Sequence, residues 1–139
     1  MYRVIVMTHG KLAVGLKDTL TMIAGEKEGV YFITFDPSDT VEEFDKRMRT
    51  IYRSIPKDES VLIMGDLYGG TPTNVATKYF LREPERVRVV TGINFPLLLT
   101  SVLSMEQNLE ECIDHMIEEA KQQIIKIEQV QHDEHEDDE

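Results

Sequence analysis

The feature that most narrows the fold of this chain is an alternation of period. Four short apolar runs, YRVIVM at 2–7, VYFITF at 30–35, VLIM at 61–64 and VRVVT at 87–91, are separated by segments of helical spacing. Leu12, Leu16, Leu20 and Ile23 mark a first helix over about 11–24, with Gly25 as its C′ residue. Thr40, with Glu43 three residues on, is a capping-box signature. It opens a second helix carrying Val41, Phe44, Met48, Ile51 and Tyr52, which closes before Pro56. A third helix follows Gly69-Gly70-Thr71-Pro72-Thr73-Asn74 and runs to about 82, where Pro84 stops it. A fourth occupies 95–103, with Asn94 as N-cap and Pro96 in its first turn. Strands alternating with helices in this way imply an α/β domain, a doubly wound and mainly parallel sheet with helices on both faces.

The chain's 139 residues suit one domain with a sizeable core. Its net charge of −11 is uneven: Asp133, Glu134, Glu136, Asp137, Asp138 and Glu139 carry six of those eleven charges. Residues 1–130 are therefore expected to form the domain, and 131–139 an acidic, solvated, disordered tail. No basic stripe interleaved with aromatic residues is visible, which excludes a nucleic-acid binder. No run approaches the ~18 apolar residues of a membrane span, and the first run is too short for a signal peptide. The single cysteine, Cys112, excludes an internal disulfide and suits a reducing cytoplasm. It reads as an inert, half-buried helix residue. His132 and His135 in the tail are a poor metal pair, so neither metal nor cofactor is expected.

The stretch from 107 to about 130 carries a helical face in Leu109, Ile113, Met116, Ile117 and Ala120. His115 on this helix reads as structural. From Gln123 the pattern becomes Ile124-Ile125-Lys126-Ile127-Glu128, which fits a longer helix or a short edge strand; periodicity alone does not separate the two.

A parallel sheet sends the turns after its strands to one edge, where ligands of open α/β sheets bind. Three turns meet there: Thr8-His9-Gly10, Asp66-Leu67-Tyr68-Gly69-Gly70-Thr71, and Gly92-Ile93-Asn94. Together they offer an imidazole, a carboxylate, a hydroxyl and free backbone amides. A carboxylate on one ring nitrogen fixes a histidine's tautomer and leaves the other nitrogen nucleophilic. Glycines let N–H groups turn towards a phosphate. The expected product is a phosphohistidine on His9, with Asp66 orienting the ring, Thr71 donating to phosphate, and Gly10, Gly69 and Gly70 as the backbone cradle. Singly, each residue has a structural reading as a turn, cap or cover. Their joint placement favours a site, without separating a phosphocarrier from a hydrolase or a small-ligand binder.

The segments IVMTHG, LIMGDLYGGTPTN and VVTGINFPLLL, in this order and spacing, resemble the IIA domain of the mannose-class sugar phosphotransferase system over roughly residues 1–130. The resemblance implies that His9 is the phosphorylated residue, Asp66 its orienting aspartate, and Thr71 the hydroxyl that helps hold the phosphoryl group. The family often has Trp before the glycine pair, where this chain has Tyr68. It implies a relay from the phosphocarrier protein HPr to His9 and on to a IIB component, with the IIC and IID membrane subunits importing the sugar. Phosphorylation on Nε2 is expected, with Nδ1 facing Asp66. The family fold is commonly a homodimer exchanging a C-terminal edge strand, which inclines residues 124–128 to that role. A cytoplasmic location, with recruitment to the membrane by the transporter, follows from the same likeness. Leu12, Tyr68, Ile93, Phe95 and Pro96, beside Gly10, are candidates for an apolar docking rim; Leu12 and Phe95 equally fit as covers of the core.

Two other readings keep the fold. One is the phosphoryl-donor subunit of a dihydroxyacetone kinase, a relative that usually lacks the GDLYGGTPTN and TGINFP stretches present here. The other is a regulatory binding module whose His9 is never phosphorylated. A hydrolase is weaker, since no Ser or Cys accompanies His9 on that edge.

Overall fold

Residues 1–128 are described by a computed structural model of the chain. The strands are β1 (Tyr2–His9), β2 (Val30–Phe35), β3 (Ser60–Gly65) and β4 (Val87–Val90). The helices are α1 (Leu12–Ala24), α2 (Val41–Ser54), α3 (Gly70–Arg82), α4 (Phe95–Leu103) and α5 (Leu109–Gln122). Every pairing is parallel, in the order β2-β1-β3-β4. The chain steps outward from β1 to β2, then crosses back to place β3 on the other side of β1. The topological switch point therefore lies between the ends of β1 and β3.

Helices cover both faces of the sheet, so its central strands are apolar on both sides and read as continuous runs rather than alternating ones. Val4 and Val6 of β1, with Leu62 and Met64 of β3, pack towards α1, α4 and α5. Ile5 and Met7, with Val61 and Ile63, face Phe44 and Met48 of α2 and Val75 and Tyr79 of α3. The two-residue period of a strand divides one sequence run between two cores.

Local chemistry fixes most helix ends. The capping box of α2 is complete: Thr40 Oγ1 accepts from the Glu43 N–H at 3.1 Å, and the Glu43 carboxylate accepts from the Thr40 N–H at 3.2 Å. Such caps contribute about 1 kcal/mol. Asn94 accepts from the Leu97 N–H at 2.9 Å to start α4, and Asn108 does the same for Glu111 of α5 at 3.1 Å. Lys11 supplies no side-chain cap to α1. Instead Thr8, buried inside β1, accepts from the Ala13 N–H at 2.8 Å.

The C-terminal stretch does not prolong its helix, and in the single chain it pairs with no strand. α5 ends at Gln122, and residues 124–128 belong to neither helix nor strand. Three β-branched isoleucines in four residues weaken helical continuation, and a strand needs a neighbouring backbone to pair with. No antiparallel edge strand is formed among the described residues. Ile124, Ile125 and Ile127 are instead 80, 59 and 81% exposed. Residues 129–130 and the acidic tail at 131–139 lie outside the described residues.

Cys112 is half-buried, its Sγ 3.8 Å from the Leu109 carbonyl, and burial pushes the thiol up from its ordinary value. That matches an inert residue. His115 lies on the solvent side of α5, paired with Glu119 at 3.1 Å, rather than in the core. Among the described residues, no helix is long and apolar enough to cross a membrane.

Candidate functional site

The switch point brings His9 and Asp66 together from 57 residues apart. His9 is the last residue of β1, and Asp66 immediately follows β3. The imidazole Nδ1 lies 3.0 Å from Asp66 Oδ2 and 3.2 Å from Oδ1. A carboxylate accepts and does not donate, so the shared proton is carried by Nδ1 and the lone pair of the neutral ring by Nε2. The carboxylate is itself held: the His9 N–H donates to Oδ2 at 2.9 Å and the Leu67 N–H to Oδ1 at 3.0 Å. The Asp66 side chain is 12% exposed and that of His9 41%. The orienting group is enclosed while the ring it orients meets solvent.

Gly70 sets the other side of the ring. A Cβ built there would stand 2.9 Å from His9 Cε1 and 3.2 Å from Nε2, at a φ of +79° that disfavours any side chain. The nucleophilic nitrogen therefore faces bare backbone at the start of α3. The first N–H groups of a helix lack intrahelical partners and carry the positive end of its dipole, a setting that favours an anion. Gly69 also has positive φ, at +84°. Thr71 stands half-buried in the first turn of α3. Gly10, with φ +55°, ends the first turn and donates its N–H to the Phe35 carbonyl at 2.8 Å. The Phe35 ring meets the His9 ring edge-on at 6.1 Å, and Phe44 backs Phe35 at 5.3 Å.

The candidate rim separates into two groups. Ile93, Phe95 and Pro96 are half-buried, and the first two pack on the core under α4. The Ile93 N–H also donates to the Gly65 carbonyl at 3.1 Å, tying the third turn to the end of β3. Leu12 and Tyr68 project into solvent at 48 and 93% exposure, so Leu12 does not cover the core and Tyr68 does not cover its turn. Leu67, absent from the sequence-derived set, is exposed beside Tyr68. An apolar pair inside an otherwise polar turn was the available signal. Thr73, in the first turn of α3, is buried, and its hydroxyl donates to the Leu67 carbonyl at 2.6 Å. A Cβ on Gly65 would come within 2.7 Å of that hydroxyl, so Gly65 lets α3 start hard against β3.

This arrangement can accept a phosphoryl group on an oriented imidazole and hold its oxygens with backbone amides and a hydroxyl. Comparison with known proteins agrees with the geometry. The family described as EIIA-man, PTS system fructose IIA component, matches residues 3–135. The fructose-specific EIIA component of Bacillus subtilis is 32% identical over 109 residues, covering 78% of this chain and 73% of that protein. The mannose-specific EIIAB component of Escherichia coli is 28% identical over 105 residues, 76% of this chain but 32% of that longer protein. Among solved structures, EIIA from Streptococcus agalactiae superposes with a TM-score of 0.83 at 25% identity, covering 91% of this chain and 97% of that one. The mannose/sorbose-specific IIA subunit from Enterococcus faecalis gives 0.82 at 24% identity, over 91 and 95%, a likeness of fold. The chain belongs to the mannose-class EIIA family, the IIA components of the sugar phosphotransferase system.

Proposed function

We propose that this EIIA component accepts a phosphoryl group from phospho-HPr on His9 Nε2 and passes it to a IIB component. The observation that carries this reading is the imidazole held at Nδ1 by Asp66, with Nε2 turned to the bare backbone of Gly70. The Nε2 lone pair attacks phosphorus as the P–N bond to the donor histidine breaks, and the electron pair of that bond returns to the donor ring. His9 keeps its Nδ1 proton and becomes a phosphorylated imidazolium, whose positive charge Asp66 stabilises. Thr71 and the amides opening α3 hold the phosphoryl oxygens in flight. The reverse-facing step follows: a nucleophile on IIB attacks the same phosphorus, and His9 leaves as neutral imidazole. Leu12, Leu67 and Tyr68 form the exposed apolar part of the docking rim, and Ile93, Phe95 and Pro96 its fixed floor. Brief encounters of this kind use small apolar patches with polar margins. The relay is cytoplasmic and serves the IIC and IID subunits at the membrane.

The test is phosphorylation by enzyme I, HPr and phosphoenolpyruvate, read by intact mass. A gain of one acid-labile phosphate that needs HPr and is absent from His9→Ala is the expected result. A folded wild type that gains none rejects the relay. We also propose a homodimer joined through residues 124–128, supported by the three isoleucines left in water there. Ile125→Asp with Ile127→Asp should sediment as a monomer; an unchanged dimer places the interface elsewhere.

A further inference from the structure

At the pole of the sheet opposite His9 lies a cavity of about 330 Å³ that the phosphoryl relay does not use. In a parallel sheet the connections from helix to next strand gather at the edge away from the strand ends that carry His9 and Asp66. The cavity is built there, from the last turns of α2 and α3 and the loops leading into β3 and β4. Its floor is aromatic: the Tyr52 and Tyr79 rings meet edge to face at 4.8 Å. Its walls are cationic. Arg49, Arg53, Lys57, Arg82 and Arg86 line it against one acid, Glu83, so a third of the chain's fifteen Lys and Arg residues surround one hollow of a strongly acidic protein.

Two of these cations are already engaged. Arg49 pairs with Asp45 at 2.8 Å. Arg86 donates to the carbonyls of Ile55, Pro56 and Glu59 and stands 3.6 Å from Glu83. Arg53, Lys57 and Arg82 have no carboxylate within 4.0 Å among the described residues. Glu83 does not neutralise them, because it accepts from the Tyr52 hydroxyl at 2.6 Å and faces Arg86. Offsetting helix dipoles explains Arg53 and Arg82, each in a last turn. It does not explain Lys57, which lies in a connecting loop. Arg82 is moreover drawn over the Tyr79 ring at 5.7 Å, and Arg86 over Tyr52 at 4.9 Å, which turns these guanidinium groups towards the hollow.

We propose that this cavity binds a small polyanion carrying two linked phosphoryl groups, held between Arg53, Lys57 and Arg82 above the Tyr52–Tyr79 floor. The volume stands at the small end of ligand pockets, which suits a phosphorylated metabolite rather than a macromolecule. Two guanidinium groups and an ammonium lining one hollow favour a diphosphate over a single phosphate, since each Arg can hold one group bidentately. The site is independent of His9 and stands whether or not His9 is phosphorylated.

Inorganic pyrophosphate is the probe, titrated into the full chain at physiological salt with backbone amide shifts followed by NMR. Saturable shifts centred on Arg53, Lys57 and Arg82 are expected, with inorganic phosphate weaker. Arg53→Gln with Arg82→Gln should weaken pyrophosphate by about tenfold or more while leaving phosphorylation by phospho-HPr unchanged and lowering the melting temperature by only a few degrees, the cost of two helix-end charges. Any of three results overturns the proposal: shifts confined to the Gly69–Gly70 turn, equal response to phosphate and pyrophosphate, or binding unaltered in the double variant. A non-saturating response does so as well, because it reports ionic atmosphere alone.

Discussion

The two poles of this sheet solve opposite problems, one with its strand-to-helix turns and the other with its helix-to-strand connections. At the His9 pole, backbone does most of the work: positive-φ glycines, helix starts and one enclosed carboxylate hold an imidazole that remains open to solvent. At the far pole, side chains do it. Arg86 braces three carbonyls, Tyr52 and Tyr79 stack and donate to Glu83 and Asp45, and Arg3 pairs with Glu59 at 3.2 Å. Glycine-built turns admit a partner's reactive group closely, whereas long side chains would fill the approach. The braced pole keeps the sheet fixed while the other leaves its imidazole open to solvent.

The sharpest way to separate the poles is to change chemistry without changing fold. Asp66→Asn keeps the shape of the orienting group but removes its charge and its preference for the Nδ1 proton. Phosphorylation of His9 should slow by about 10²–10⁴-fold, measured by rapid-quench transfer from phospho-HPr, with a smaller loss of stability because the amide nitrogen replaces one of the two oxygens that accept from the His9 and Leu67 N–H groups. A rate near that of the wild type would remove Asp66 from the site. Gly70→Ala mixes the two effects. The added Cβ crowds the ring and forces a strained φ, so a rate loss of about tenfold should accompany a stability loss of about 1–2 kcal/mol. Denaturant titration beside the transfer assay reads both.

Arg86→Ala should invert the pattern. Three carbonyls lose a donor, although that of Pro56 keeps the Glu59 N–H, costing about 2 kcal/mol in unfolding free energy, while the transfer rate stays unchanged. A slower transfer with normal stability would break the division between poles. The smallest effect is in alkali. Burial, and hydrogen bonds to Glu83 and Asp45, push the hydroxyls of Tyr52 and Tyr79 up to about 12, from 10.0. The unfolded chain then loses these protons first, so their stabilisation is complete below pH 10 and fades as pH rises towards 12. Thermal melts across that window should show the decline, and Tyr52→Phe should reduce it.

How far the sequence foretold this division depends on how local each signal was. The Thr40–Glu43 box and the Asn94 cap act within three residues and were legible as they stand. The meeting of His9 and Asp66 was legible because parallel topology sends every strand end to one edge. The far pole was not: its arginines read as ordinary helix ends, and only the packing of α2 beside α3 makes them a cavity. Thr8 looked like a turn residue because the N–H its hydroxyl accepts from, that of Ala13 in α1, is five residues on and buried. Gly70 was legible as a cradle glycine, but its need for bare backbone against the His9 ring was not, since that ring belongs to another strand. The end of α5 stayed open for a different reason: the isoleucines after Gln122 fit a longer helix or an edge strand equally, and α5 stops before them.

The enclosure of β1 between β2 and β3 reaches beyond architecture. Val4 to Met7 is paired on both sides and buried on both faces, and the His9 amide that closes the strand is bonded to the very carboxylate that orients its ring. No fraying of an edge can expose the amides of Val4 to Met7. Their hydrogens should therefore exchange with solvent only through openings that part β1 from its neighbours, at the slow end of the molecule's range. A reactive side chain on the surface is thus anchored to the last part of the protein to come apart.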